Sequence, residues 1–262
     1  MTPVGILIAL LAIIVAMTMD HGHVGSLIKL PPLLLVVGGS LGATMAGFEA
    51  RRLRAVPRAF KIAMKPSKRP DTHGTIDALL AMAKEARSNP LVLEELETDD
   101  AFMKKGIQLI VSTSDPDQVY ELMAAEIDGL RLRHRTGTKF FADMAGYSPT
   151  FGILGTVIGL IAVLGQLSSP GKLGPAIASA FTATLWGVLL ANAVWLPISN
   201  KLHRLTDEEV AYREMVIEGL LTMQLNASTT ELKDRLDAFL PPAEREQTPT
   251  RTPVEEAPDA AA

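Results

Sequence analysis

Apolar positions along this chain gather in four runs, Val4–Met19, Leu33–Phe48, Tyr147–Leu167 and Leu173–Pro197, with a polar block between the second and third. A helix needs about 20 apolar residues to cross a bilayer. The runs therefore predict four spans, at about residues 4–19, 31–48, 147–167 and 173–197. The last two hold no Asp, Glu or Arg, and Lys172 falls in the connection between them. The first run is short for a span, but Met1–Gly5 lacks the Lys or Arg of a secretory leader, so it is expected to stay as a first helix.

The interior block reads as helical. Ile76, Leu79, Leu80 and Ala83 recur at helical spacing, as do Phe102, Met103, Ile107, Ile110 and Val111. Asp115-Pro-Asp-Gln118 has the pattern of an N-cap, a first-turn Pro and a capping Gln. It opens a helix with Val119, Leu122, Met123, Ile127 and Leu130 on its apolar face, predicted to run on into the third span. Asn200–Met223 likewise extends the fourth span. Residues from Pro241 onward have no periodicity and predict a disordered tail.

Charge orients the spans. Arg51, Arg52, Arg54, Arg58, Lys61, Lys65, Lys68 and Arg69 follow the second run, and Lys201, His203 and Arg204 follow the fourth. Basic flanks mark the cytoplasmic side, so the interior block and both termini are expected inside. The connections Asp20–Pro32 (with Gly22, Gly25, Pro31 and Pro32) and Ser168–Lys172 are expected outside. The fold class is thus an all-α membrane protein, four transmembrane helices with a helical cytoplasmic domain inserted between spans two and three. Its expected layout is a hairpin at 1–48, a cytoplasmic helical domain at 49–145, a second hairpin at 146–198, a helical extension at 199–240 and a tail at 241–262.

The contents of the spans narrow the chemistry. Gly38/Gly42/Ala46, Gly155/Gly159 and Ala183/Gly187/Ala191 are rows of small residues four apart, which let backbones approach in lipid and predict a multi-helix or oligomeric assembly. Thr156, Ser179, Thr182, Thr184 and Asn192 are the polar groups at depth. A lone Thr in a helix ordinarily bonds the preceding turn's carbonyl, and its functional alternative is to offer a hydroxyl to an ion or water. Pro149 and Pro197 lie at the cytoplasmic ends of the third and fourth spans, as simple helix breaks or as hinges. Phe151, Trp186 and Trp195 read as packing or interfacial residues.

No Asp, Glu or His falls within the four runs; Asp20, His21 and His23 lie just beyond the first. An ion-driven machine ordinarily carries a titrating group in the membrane, so another chain would have to supply it. The zero cysteines exclude disulfides and thiolate sites. His73, Asp77, Glu85 and His134 make no metalloprotease or paired-carboxylate pattern, and no phosphate-binding Gly-Lys loop occurs. An enzyme or scaffold centred on the interior block is the reading from another class; no enzymatic activity and no bound cofactor or metal are expected.

Three segments carry a resemblance. Ser26-Leu-Ile-Lys-Leu-Pro-Pro-Leu-Leu-Leu-Val-Val-Gly-Gly-Ser-Leu-Gly-Ala-Thr44, Tyr147-Ser-Pro-Thr-Phe-Gly-Ile-Leu-Gly-Thr-Val-Ile-Gly-Leu160 and Ala180-Phe-Thr-Ala-Thr-Leu-Trp-Gly-Val-Leu-Leu-Ala-Asn192 resemble the second, third and fourth spans of the motility protein A family (MotA, also PomA) of flagellar stator subunits. The similarity covers about residues 1–225. It implies a homopentameric ring around a dimer of motility protein B, whose membrane Asp carries the ion, in the bacterial inner membrane. It implies further that Thr156, Thr184 and Thr182 line the ion path, that Pro149 and Pro197 serve coupling, and that Arg87 and Glu95 meet the rotor switch protein FliG. Without it, both charges would be solvated helix groups. Thr156 matches a third-span Thr associated with sodium-coupled members of the family, but those often show two adjacent Thr in the fourth span, whereas this chain has Ala183-Thr184, so protons are favoured over sodium. A related ExbB/TolQ-like energiser is the nearest alternative; four spans and the Leu-Pro-Pro…Gly-Gly-Ser-Leu-Gly-Ala hairpin favour the stator.

Overall fold

A computed structural model of the chain describes residues 2–19, 25, 27–65, 71–88, 98–113 and 115–245. Every regular element among them is helical: α1 (Thr2–Met19), α2 (Leu30–Ala46), α3 (Ala50–Leu53), α4 (Val56–Met64), α5 (Thr72–Ser88), α6 (Ala101–Ser112), α7 (Pro116–Leu164), α8 (Pro170–Leu189), a π-helical turn (Leu190–Trp195), α9 (Leu196–Gln224) and α10 (Thr229–Asp237). The all-α class expected from the sequence is the class observed. Three helical stretches, beginning at Thr2, Pro116 and Pro170, are long and apolar enough to cross a membrane. The second apolar run forms α2, a shorter helix of 17 residues.

Two expected connections are shorter than the sequence implied. Pro31 and Pro32 lie in the first turn of α2, and Lys172 lies in the first turn of α8, which opens at Pro170 behind Ser169. Proline is accepted there because first-turn N–H groups have no partner within the helix. The start expected for span two, at about residue 31, agrees with Leu30 within one residue, and the reading of Lys172 as loop is corrected. α7 is unbroken over 49 residues, as its periodicity predicted. It starts behind Asp115, whose Oδ1 accepts from the Asp117 N–H at 3.0 Å.

The chain divides into two compact units, Met1–Pro70 with Ala124–Val210, and Asp71–Met123 with Ala211–Ala262. In the first, α1 has no buried residue. Thr2 and the stripe Ile6, Ala9, Leu10, Ile13 and Met17, at helical spacing, are half-covered. Where α2 ends, Phe48 meets Phe140 edge-on at 5.7 Å, Phe140 meets Phe141 at 5.5 Å, and Phe141 stacks on Trp195 at 6.3 Å. These rings join Ala63, Met144, Ile198 and Leu202 in one apolar cluster. Lys201 Nζ donates to the Ala63 and Lys65 carbonyls at 2.7 and 2.8 Å, satisfying the C-terminal end of α4.

The second unit has its own core, with Leu79, Val119, Met123, Met215, Val216, Leu220, Leu232 and Leu236 all essentially buried. Asp100 caps α6 by accepting from the Phe102 and Met103 N–H groups at 2.8 and 3.2 Å. Its other oxygen accepts from the Tyr212 hydroxyl at 2.7 Å, which lies 3.2 Å from Thr75 Oγ1. One phenol thus ties α5, α6 and α9 together. Arg213 lies over the Phe102 ring at 4.9 Å. Pro241–Arg245 form a turn in which Arg245 donates to the Leu240 carbonyl and Glu244 lies 3.2 Å from His73. The remainder of the expected tail, residues 246–262, lies outside the described residues.

Candidate functional site

α7 and α8 meet along a seam that side chains would block. A Cβ at Gly155 would lie 2.5 Å from the Ala183 Cβ, and one at Gly159 would lie 2.6 Å from the Ala180 Cβ. One at Gly187 would lie 2.6 Å from the Ser148 carbonyl oxygen and 2.9 Å from Gly152 Cα. In lipid, helix association rests on such packing and on interhelical hydrogen bonds. Two of the small-residue rows thus pack on one another. The third does not: a Cβ at Gly38 or Gly42 would meet nothing within 4 Å, and Gly38, Gly42 and Ala46 are exposed.

Two hydroxyls sit in this seam. Thr156 Oγ1 and Thr184 Oγ1 are 3.3 Å apart. Thr156 donates back to the Ile153 carbonyl at 2.6 Å, the ordinary helical bond. Thr184 reaches across to the Gly152 carbonyl of α7 at 3.2 Å. Both are half-buried. Thr182 stands apart: it is buried and donates to its own helix at the Ala178 carbonyl, 2.7 Å away. The structure therefore brings Thr156 and Thr184 together and leaves Thr182 out of the pair.

The two prolines occupy different settings. Pro149 lies inside α7, directly after the buried Ser148, whose hydroxyl donates to the Met144 carbonyl at 2.7 Å and whose own carbonyl faces Gly187. Pro197 lies in the first turn of α9, just behind the π-helical turn, where the Leu196 N–H reaches back five residues to the Ala191 carbonyl. Proline has no N–H to continue an α ladder, and an inserted π turn re-pairs the backbone next to it. Asn192 in that turn donates to the Val188 carbonyl at 2.9 Å. The sequence marked Pro197 but carried no signal for the π turn.

Trp186 donates to the Leu27 carbonyl at 2.7 Å and Lys29 to the Pro175 carbonyl at 3.1 Å, anchoring the stretch before α2 to α8. Neither bond was legible from spacing. Arg87 is exposed in the last turn of α5. Glu95 lies outside the described residues. Among the described residues no three His, Asp or Glu side chains gather as a metal site.

Apolar helices closed on a small-residue seam, with the paired hydroxyls of Thr156 and Thr184 in it, are the build of a helical membrane protein. Residues 94–215 match the MotA/TolQ/ExbB proton channel family and residues 3–89 match the motility protein A N-terminal family. Motility protein A of Bacillus subtilis (strain 168) is 31% identical over 245 residues, covering 92% of this chain and 91% of that protein. The chemotaxis protein PomA of Vibrio alginolyticus is 34% identical over 215 residues, 81% of this chain and 83% of that one. The solved flagellar MotAB stator complex from Bacillus subtilis superposes with a TM-score of 0.86 at 31% identity, over 92% of this chain and 96% of that chain. The fold is shared too with C. jejuni MotAB, at a TM-score of 0.84 and 24% identity. The chain belongs to the motility protein A family of flagellar stator ion channels. The match of its first helices to the motility protein A N-terminal family makes the ExbB/TolQ alternative the less supported one.

Proposed function

We propose that this chain forms a homopentameric ring around a dimer of a motility protein B-type subunit and that the assembly converts a proton gradient into flagellar rotation. The observation that carries this reading is the Thr156–Thr184 pair, 3.3 Å apart across a seam whose spans hold no carboxylate. Such a wall can solvate an ion on a partner's Asp but cannot titrate. In this reading the partner carboxylate takes an ion from the outer side and loses its charge. Its attraction to the hydroxyl wall changes, the ring steps to the next subunit, and the ion leaves inward past Pro149. A charge held in lipid costs several kcal/mol, enough for neutralisation to bias two ring positions.

Protons are favoured over sodium on the same geometry. A hard cation takes a cage of several oxygen ligands, and the position beside Thr184 is Ala183, whose methyl packs on Gly155. Four spans at α1, α2, the distal part of α7 and α8 through the π turn cross the bacterial inner membrane, with residues 49–145, 199–240, the tail and both termini in the cytoplasm. Pro149 and Pro197 couple ring motion to the interior helices, and Arg87 and Glu95 engage the rotor switch protein FliG.

The test is motility of a strain lacking this chain, complemented with and without the B-type partner, with potassium replacing sodium at fixed pH. Swimming that needs both chains and survives sodium removal supports the proton reading. Arrest without sodium overturns the ion, and motility indifferent to this chain overturns the stator reading itself. Because the chain has no native cysteine, Lys104→Cys and Lys172→Cys read sidedness directly. An impermeant thiol reagent on intact cells should label only the second.

A further inference from the structure

The first unit holds a basic pocket outside the seam. It has a volume of about 580 Å³ and is walled by the chain leaving α2 (Gly47, Phe48, Glu49, Arg52) and by one face of α7 (Leu132, Arg133, Arg135, Thr136, Lys139). The size suits a small polar ligand, whose sites run about 300–1,000 Å³. Four cations face one lining carboxylate, Glu49, which lies 3.6 Å from Arg52. Lys139 is paired with Asp143 at 3.0 Å. Arg133 and Arg135 are exposed and make no ion pair or side-chain hydrogen bond among the described residues. Leu132 beside them is 65% exposed.

We propose that this pocket binds the headgroup of an anionic phospholipid of the cytoplasmic leaflet. The proposal rests on the orientation argued above. Depth is the first argument. The pocket opens where α2 ends, and Lys139 directly precedes Phe140, whose ring meets Phe48 in the aromatic layer. From Lys139 to Arg135 is about 6 Å along a helix, the depth of one headgroup layer. Charge is the second. Two unpaired guanidiniums offer planar forks that match phosphate oxygens, and basic pockets at this level of a membrane protein take lipid headgroups. Phe48, at the membrane end of the pocket, supplies apolar surface for the glycerol and upper acyl chain.

The test is native mass spectrometry of the full chain, in the assembly in which it purifies, from membranes doped with equal phosphatidylglycerol and phosphatidylcholine. Wild type should retain phosphatidylglycerol in clear excess. R133Q/R135Q should weaken that retention about 30-fold, as expected for two cations near a membrane surface. R51Q/R54Q removes the same charge at the same end of α2 but outside the pocket, and should cost less than threefold. Glu49→Gln removes the lining carboxylate and should tighten retention, a gain that misfolding cannot produce. Equal retention of the two lipids, equal loss in both double variants, or no gain in Glu49→Gln would each overturn the proposal. So would an R133Q/R135Q assembly that falls apart with its lipid still bound, which would assign the patch to an acidic face of a second copy. A lipid preference that holds while swimming needs neither chain would keep the site and remove the stator reading; the reverse result would do the opposite.

Discussion

Thr184 donates to the Gly152 carbonyl at 3.2 Å, so the hydroxyl nearest to Thr156 belongs to one helix and bonds the backbone of another. A glycine at 152 makes the carbonyl reachable, because the α8 backbone can then come against it. The pair is therefore a property of the seam, and its chemistry and its packing can be separated by substitution.

Thr184→Ala removes the cross-helix bond while leaving the small-residue contact, at about 1 kcal/mol of stability. Rotation speed of tethered cells should fall at least twofold, and Thr184→Ser should restore most of it. Full torque in Thr184→Ala would exclude the hydroxyl from the path wall. Thr182→Ala, whose hydroxyl bonds only within α8, should rotate normally.

Gly187→Ala places a methyl against the Ser148 carbonyl and Gly152 Cα. Backbone on both sides cannot yield as a side chain would, and overpacking of this kind costs about 1–3 kcal/mol. Thermal unfolding in detergent should shift down by several degrees. Gly42→Leu has open space within the chain. It should leave that melting unchanged and lower the fraction of ring on size-exclusion chromatography. Unaltered assembly would show that this row faces only lipid.

Tyr212 titrates above its ordinary value, raised first by burial and then by the Asp100 carboxylate, with the Thr75 hydrogen bond opposing. A phenol whose folded pKa is raised stabilises the fold fully below the unfolded value of about 10. That contribution is lost as pH rises through the folded value, because the unfolded state releases its proton first. Unfolding of the purified chain should therefore steepen in alkali between those two values. Tyr212→Phe should flatten the alkaline limb and cost about 1 kcal/mol at neutral pH through the lost Asp100 bond. An alkaline limb unchanged in Tyr212→Phe would assign it to other groups.

Arg87→Glu should abolish or sharply reduce swimming while leaving protein level and ion conduction through an unplugged complex unchanged. The residue is exposed at the end of α5 and buries nothing whose loss would unfold the unit. Normal swimming would remove Arg87 from the rotor contact.

How much of this was legible in advance divides by range. The α7 register was readable because Val119, Met123, Ile127 and Leu130 repeat at 3.6-residue spacing and all four are buried, whereas Leu122, placed on the same face, lies at its edge and is exposed. The seam was half readable: the rows Gly155/Gly159 and Ala183/Gly187 announced close packing, but nothing in one sequence said that they pack on each other while Gly38/Gly42 stays open. Thr182 and Thr184 looked alike as intramembrane hydroxyls, and only their positions around α8 separate them. The helix start at Pro170 was placed three residues late, at Leu173, because proline reads as a breaker unless its first-turn position is known. The bonds from Trp186 to Leu27 and from Tyr212 to Asp100 span 159 and 112 residues. Pairings of that separation leave no local pattern.

α1 carries one further implication. With no residue buried and a single stripe from Ile6 to Met17 half-covered, most of its circumference answers to oiliness and length rather than to the order of its residues. Permuting Leu, Ile and Val among Leu7, Ile8, Leu11, Ile14 and Val15 should be nearly silent, whereas the same permutation in the α7–α8 seam would scramble a fitted surface. The chain thus encodes one of its helices as a bulk property and its neighbours as an address.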